Sequence, residues 1–175
     1  MPQIACVGCI ANPMAGKDIR RLVSHSSRLD NQEKVNIIRR ILLALERVGV
    51  EEALLMPDTY SIGVKALQGI HHPIRLRVRI LDMDVRGSAD DSLQATRRMC
   101  EAGVRCLIVL GGDGTHRVVA KASGLIPLVR ISTGTNNVFP QMIEGTVAGL
   151  AVGFYARYGG HLPEVILPTK RLEIW

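Results

Sequence analysis

One apolar pentapeptide, Cys106-Leu107-Ile108-Val109-Leu110, runs straight into Gly111-Gly112-Asp113-Gly114-Thr115. A run so short, with no polar break, reads as a strand buried on both faces, the habit of parallel sheets. Beyond it, Arg117 to Ala122 resumes a helical pattern, with Val118, Val119 and Ala122 apolar. The five residues between are therefore a strand-to-helix turn at the carboxyl end of a buried strand. Glycines there let backbone N–H groups approach an anion, and the helix N-terminus adds about half a positive charge. Asp113 places a carboxylate in the same turn. Two readings stand on these residues alone: a phosphate cradle with its own base, or a plain helix start capped by Asp113 or Thr115.

The flanking chain alternates in the same way. Ile4 to Ala11 is an apolar first strand, followed after Asn12-Pro13 by a long connection to about Asn31 with a short helix around Ile19 to Val23. A loop of that length in a compact domain is usually functional or mobile. Asp30-Asn31-Gln32-Glu33 reads as a capping box. The helix it opens carries Val35, Ile38, Leu42 and Leu45 on one stripe, and Gly49 ends it. Ala53 to Met56 is a second strand, and Tyr60 to Gln68 a second helix. Ile74, Leu76, Val78 and Ile80 then alternate with Arg75, Arg77 and Arg79. Period two means one wet face, as on an edge strand, where charges blunt the edge more often than they grip phosphate. Ser88 is placed to cap a helix from Ala89 to Ala102, and Leu128 to Ser132 is a fifth strand. A last helix is expected from about Val138 to Tyr158. It would turn Met142, Ile143, Val147, Leu150 and Phe154 inward, while Ala148, Gly149, Ala151 and Gly153 let it pack closely. Alternating strands and helices imply an α/β doubly wound parallel sheet, Rossmann-like, of order 3-2-1-4-5 with right-handed crossovers.

A length of 175 residues suits one domain. Aromatics make up only 3%, which argues against base stacking, and the basic residues behind the net charge of +6 are scattered. Nucleic acid is therefore not expected as a partner, although the charge suits a small anion. The apolar run from Val147 to Ala156 is far short of the roughly 20 residues that span a bilayer. No membrane partner is expected, and no targeting segment is evident, so the cytoplasm is the expected location. Cys6 and Cys9 form a C-x-x-C, but residues three apart on a strand face opposite ways and cannot share a metal. Buried free thiols in a reducing compartment are the better reading.

Ligands of such sheets bind beyond the carboxyl ends of the strands, where strand order reverses. With strands one and four adjacent there, the Asn12 loop and the Gly111 turn would face one crevice. Ala11 to Asp18 nearly matches a Walker phosphate loop. It lacks the first glycine, though, and puts Asp18 where a magnesium-binding hydroxyl belongs, so it is not one. Lys17 suits either a mobile point charge or a solvated surface. Thr133-Gly134-Thr135-Asn136-Asn137 follows the fifth strand and borders the same crevice, either as a ligand loop or as an Asn-rich helix cap.

Gly111 to Thr115, together with Asn12-Pro13-Met14-Ala15-Gly16 and Thr133 to Asn137, resembles the superfamily that joins NAD kinases to diacylglycerol and sphingosine kinases. The combination is similar to its ATP–NAD kinase-like branch, over the N-terminal domain only. That resemblance implies ATP and Mg²⁺, with Asp113 accepting the acceptor's proton or orienting its hydroxyl. It makes Asn12, Gly16, Gly111, Gly112, Gly114, Thr115, Thr133, Gly134, Thr135 and Asn136 nucleotide contacts, with Arg117 one helical turn on as a phosphate ligand. His116 reads as structural, and no residue is set aside as a dedicated metal ligand. Asn137 stands where lipid kinases carry an acid, which counts against a lipid acceptor. The implied division is a nucleotide-binding α/β domain over 1–160 and the opening of a β-rich second domain over 161–175. Glu164-Val165-Ile166-Leu167 and Arg171 to Trp175 would be its first strands, exposed enough to pair two copies. The implied activity is phosphoryl transfer to a hydroxyl of NAD or a similar small molecule. A non-catalytic nucleotide-binding module is the rival.

Overall fold

The computed structural model describes residues 4–16, 30–134, 137–159 and 163–170. Five strands run parallel: β1 (Cys6–Ala11), β2 (Glu52–Leu55), β3 (Arg77–Ile80), β4 (Cys106–Gly111) and β5 (Leu128–Ser132). Their order is β3-β2-β1-β4-β5, as expected. The described helices are α1 (Asn31–Val48), α2 (Ile62–Gln68), α3 (Ala89–Glu101), α4 (Asp113–Ala120) and α5 (Gly145–Tyr158). The expected short helix at Ile19 to Val23 lies outside the described residues.

The central strands are buried on both faces, so their side chains feed two cores in alternation. Val7, Cys9, Ala11, Ile108 and Leu110 join α1, α2 and α5 in one core. Cys6, Ile10, Leu107 and Val109 join α3 and α4 in the other. Cys6 and Cys9 thus face opposite layers, and all four cysteines are free. Burial pushes the Cys6 thiol up to about 11 and those of Cys9 and Cys106 to about 12, far from thiolate chemistry at neutral pH.

Local signals account for the helix ends. Asp30 accepts the Glu33 amide at 2.7 Å, and Gly49 closes α1 at φ 82°. The return arm of the expected box is replaced, since the Glu33 carboxylate accepts from Arg40 and Asn36. A reciprocal box does form at Ser88 and Asp91. On the outer edge, Arg77 and Arg79 both reach Glu52, at 3.1 and 2.7 Å, so the arginine row pairs along the sheet.

The last helix departs from expectation twice. It starts at Gly145 because Glu144 caps it, accepting the Thr146 and Val147 amides at 2.7 and 3.1 Å. Its buried face is the small one, Gly145, Ala148, Gly149, Val152, Gly153 and Ala156. Val147, Leu150 and Phe154 are exposed, as is Met142 before the helix, while Ile143 packs against the core. Both stripes have helical spacing, and the small one wins because it lets α5 lie against the backbone of α1. A Cβ at Gly149 would stand 2.7 Å from Ala44 Cβ and 2.9 Å from the Ile41 carbonyl. Arg157 fastens the far end by donating to the carbonyls of Val48 and Gly49.

The expected strand at Glu164–Leu167 is absent. Pro163–Val165 is a 3-10 turn, the chain to Lys170 has no regular structure, and Val165 and Leu167 are exposed. Arg171 to Trp175 lie outside the described residues. Among those described, no helix is long and apolar enough to cross a membrane.

Candidate functional site at the switch point

Strand order reverses between β1 and β4, and the loops leaving these strands and β5 meet there. The Asn12 amide donates to the Leu110 carbonyl at 3.0 Å, and the Thr133 amide to Gly111 at 3.1 Å. These bonds carry the parallel pairing one residue past the strands and set three loops side by side.

Side chains then cross-link the loops. Asn12 Oδ1 accepts the Met14 amide at 2.8 Å, so the amide group is fixed with Nδ2 donating to Thr115 Oγ1 at 2.9 Å. Asn137 Oδ1 accepts the Asp113 amide at 3.3 Å, while its Nδ2 donates to Ser132 Oγ at 2.7 Å. Gly112 and Gly134 let the two turns touch. A Cβ at Gly134 would lie 3.0 Å from Gly112 Cα and 2.7 Å from Asn137 Oδ1.

Asp113 opens α4, directly after its N-cap Gly112. Its carboxylate accepts the amides of Phe139 at 2.9 Å and Val138 at 3.0 Å. It therefore ties down the loop that follows β5 and does not cap its own helix. A carboxylate has about four lone-pair directions, so two backbone donors leave it able to accept a further proton or cation. Gly114 is exposed on the first turn of α4, and a Cβ there would meet nothing within 4 Å. That side of the turn is therefore open space, although the Asp113 amide itself is taken by Asn137 Oδ1.

His116 is buried, its Nδ1 2.9 Å from the Gly112 carbonyl, which makes that nitrogen the donor. Its ring meets Phe139 edge to face at 5.8 Å, and Nε2 has no partner among the described residues. Burial holds its pKa below the usual histidine value. The ring braces the turn, as expected of a structural residue.

The expected site residues divide by position. Asn12, Gly111, Gly112, Asp113, Thr115 and Gly134 come together around the crevice through the contacts above, while Gly114 is exposed on the first turn of α4 and Gly16 is buried at the end of the Asn12 turn. Arg117 is exposed one turn into α4. Thr133 is fully buried beneath the crevice, with its hydroxyl unpartnered among the described residues. Thr135 and Asn136, with Lys17 and Asp18, lie outside the described residues. Sequence reasoning missed Lys34 and Ser132. Lys34 is a polar residue on an apolar helix face, and that was its signal. Beside the Asn12 loop, a shallow depression lined by Met14, Met56, Asp58 and Asp91 continues toward α3.

No group of three or more histidine, cysteine, aspartate or glutamate side chains placed to hold a metal occurs among the described residues. A magnesium ion at a phosphate site needs none, because it keeps several waters and uses one or two carboxylates plus phosphate oxygens. Asp113 fits that demand.

A doubly wound α/β domain with a carboxylate-bearing glycine turn at its switch point is the class that fold and site define. Residues 7–157 match the family model described as the ATP-NAD kinase N-terminal domain, and the chain belongs to that family. It is 44% identical over 178 residues to the acetoin catabolism protein X of Cupriavidus necator. The match covers 96% of this chain and 48% of that protein, so the chain spans about half the length of the curated relative it matches.

Proposed function

We propose that the chain is the nucleotide-binding half of an ATP-dependent phosphotransferase that acts on a hydroxyl of NAD or a similar small molecule. The carrying observation is the Asp113 carboxylate, fixed by two backbone amides beside the open first turn of α4. Phosphoryl transfer asks mainly for charge stabilisation and alignment, plus an acceptor for the hydroxyl proton. The amides of the Gly111–Thr115 turn and the helix dipole supply the first. The hydrogen bonds from Asn12 to Thr115 and from Asn137 to Ser132 supply the second. Asp113 supplies the third, or it holds Mg²⁺ together with the nucleotide phosphates.

On this reading Asn12, Gly16, Gly111, Gly112, Gly114, Thr115, Gly134, Thr135 and Asn136 contact the nucleotide, and Arg117 is a phosphate ligand. Thr133 contributes from below, by fixing the loop. Residues 1–160 form the nucleotide-binding unit, and 161–175 begin a second unit that completes the acceptor site. Free buried thiols suit a cytoplasmic setting. The relative's name connects that protein with acetoin catabolism, and we extend the connection to this chain as part of the proposal. The test is turnover of ATP, followed by phosphorus NMR against a panel of hydroxyl acceptors including NAD, in a form that spans the relative's full length. Formation of a phosphorylated acceptor supports the reading. Nucleotide binding with no transfer to any acceptor favours the non-catalytic module.

A further inference from the structure

Lys34 sits on the core side of α1 beside Val35 and Ile38, with no exposed surface. An ammonium there is costly unless its hydrogens are taken up. Nζ donates to the carbonyls of Ala15 at 2.8 Å, Asn12 at 2.9 Å and Pro13 at 3.3 Å, and to Asn31 Oδ1 at 3.1 Å. Three carbonyls of the stretch from Asn12 to Ala15 therefore point at a single buried cation.

A trans peptide directs its N–H opposite to its carbonyl, and the described chain has no cis bond. The Met14 and Gly16 amides share peptide units with the Pro13 and Ala15 carbonyls, so both face away from Lys34. The Met14 amide holds Asn12 Oδ1, which leaves Asn12 Nδ2 on Thr115. The Gly16 amide belongs to the residue that leaves the turn at φ 81°, left-handed backbone that favours glycine. The Met14 amide is held by Asn12 Oδ1 and the Ala15 amide by the Asn12 carbonyl, which leaves the Gly16 amide as the loop's donor on the side away from Lys34.

We propose that Lys34 is a positioning residue for phosphate. Its buried ammonium draws the loop carbonyls inward, turns the Gly16 amide toward the crevice, and sets the loop's distance from the Gly111–Thr115 turn through Met14 and Asn12. The inference rests on the phosphotransferase reading of that crevice, and the ligand class is the phosphate chain of a nucleoside triphosphate.

Lys34→Met keeps an unbranched stem and removes the charge and donors. Its Mg-ATP affinity, measured by titration calorimetry on the 175-residue chain, is expected to fall at least tenfold. Leu42→Ala, a core truncation on the same helix, is the control; it should lower Tm yet bind ATP as the parent does. In amide NMR spectra of the parent chain, the Gly16 resonance should move as ATP is added. ATP binding within twofold of the parent in a folded Lys34→Met variant overturns this inference alone. If the parent chain binds no ATP, this inference and the phosphotransferase reading fall together. Should Lys34→Met fail to fold, the parent spectrum decides: a shifted Gly16 amide upholds the proposal, and an unmoved one at saturating ATP overturns it.

Discussion

Two places in the molecule bring backbone close to its neighbour through glycine, and they differ in what surrounds the contact. Between α1 and α5, Gly149 presses on Ala44 and the Ile41 backbone, with Ala148 and Val152 sealing the seam. At the switch point, Gly134 meets Gly112 among Asn12, Asp113, Thr115, Ser132 and Asn137, which hydrogen-bond across three loops. The first contact stabilises by excluding water. The second holds polar groups at fixed spacing and leaves Asn12, Asp113 and Asn137 part-exposed over the buried Thr115 and Ser132. Close approach serves packing in one place and access in the other, so substitutions at the two should separate stability from chemistry.

The largest separation is expected from Asp113→Asn in a form with activity. An amide keeps an oxygen to accept the Phe139 amide but loses the charge and the proton acceptor. If Asp113 is the proposed proton acceptor, turnover should fall by about 10²- to 10⁴-fold, the usual contribution of a general base, while the ATP Kd stays within a few-fold. Turnover surviving within a few-fold would reduce Asp113 to a loop tie. Gly149→Val sharpens the other side: overpacking the α1–α5 seam should cost about 1–3 kcal/mol by denaturant unfolding. The ATP Kd should not move, and a parallel loss of binding would break the comparison.

A smaller effect is expected from pH. His116 is held neutral by burial, so its folded pKa lies below the unfolded value of about 6.5. Its contribution to stability is present above pH 6.5 and is lost as pH falls through the folded pKa. Between pH 7 and pH 5, Tm should fall more steeply in the parent than in His116→Asn; equal slopes would place the titration elsewhere. The smallest change should come from Glu52→Gln at the sheet edge. Its arginine partners are more than half exposed, at 60% and 57%, so the loss should be at most about 1 kcal/mol.

Much of this arrangement was legible in the chain itself. Apolar runs at Cys6 and Cys106 mark β1 and β4 as central, and the arginine-alternating run before Leu81 marks β3 as an edge. The glycine turn after β4 marks the crevice, because strand-to-helix turns at a switch point leave little other choice. The last helix was misread for a physical reason. It is apolar nearly all round, so periodicity cannot say which stripe faces inward, and close packing of small residues outweighed burial of Val147, Leu150 and Phe154. The strand expected at Glu164–Leu167 failed because apolar, β-branched composition marks a strand only when a neighbouring strand pairs with it. Lys34 escaped notice because three of its acceptors are backbone carbonyls of the Asn12 loop, distant in sequence, which no motif encodes.

The central claim is that the Gly111–Thr115 turn holds an anion by its backbone, and Gly114 tests it most directly. A methyl group there meets nothing in the folded chain and replaces glycine in a helix, which should stabilise by about 0.5–1 kcal/mol. On the proposed reading the same methyl stands in the path of the phosphate. At a hundredfold excess over Kd, ATP should stabilise the parent by about 2.7 kcal/mol, seen as a rise in Tm. The account predicts that Gly114→Ala melts at or above the parent without ligand and loses most of the ATP-induced rise. An equal rise in both proteins, or none in the parent, would contradict it.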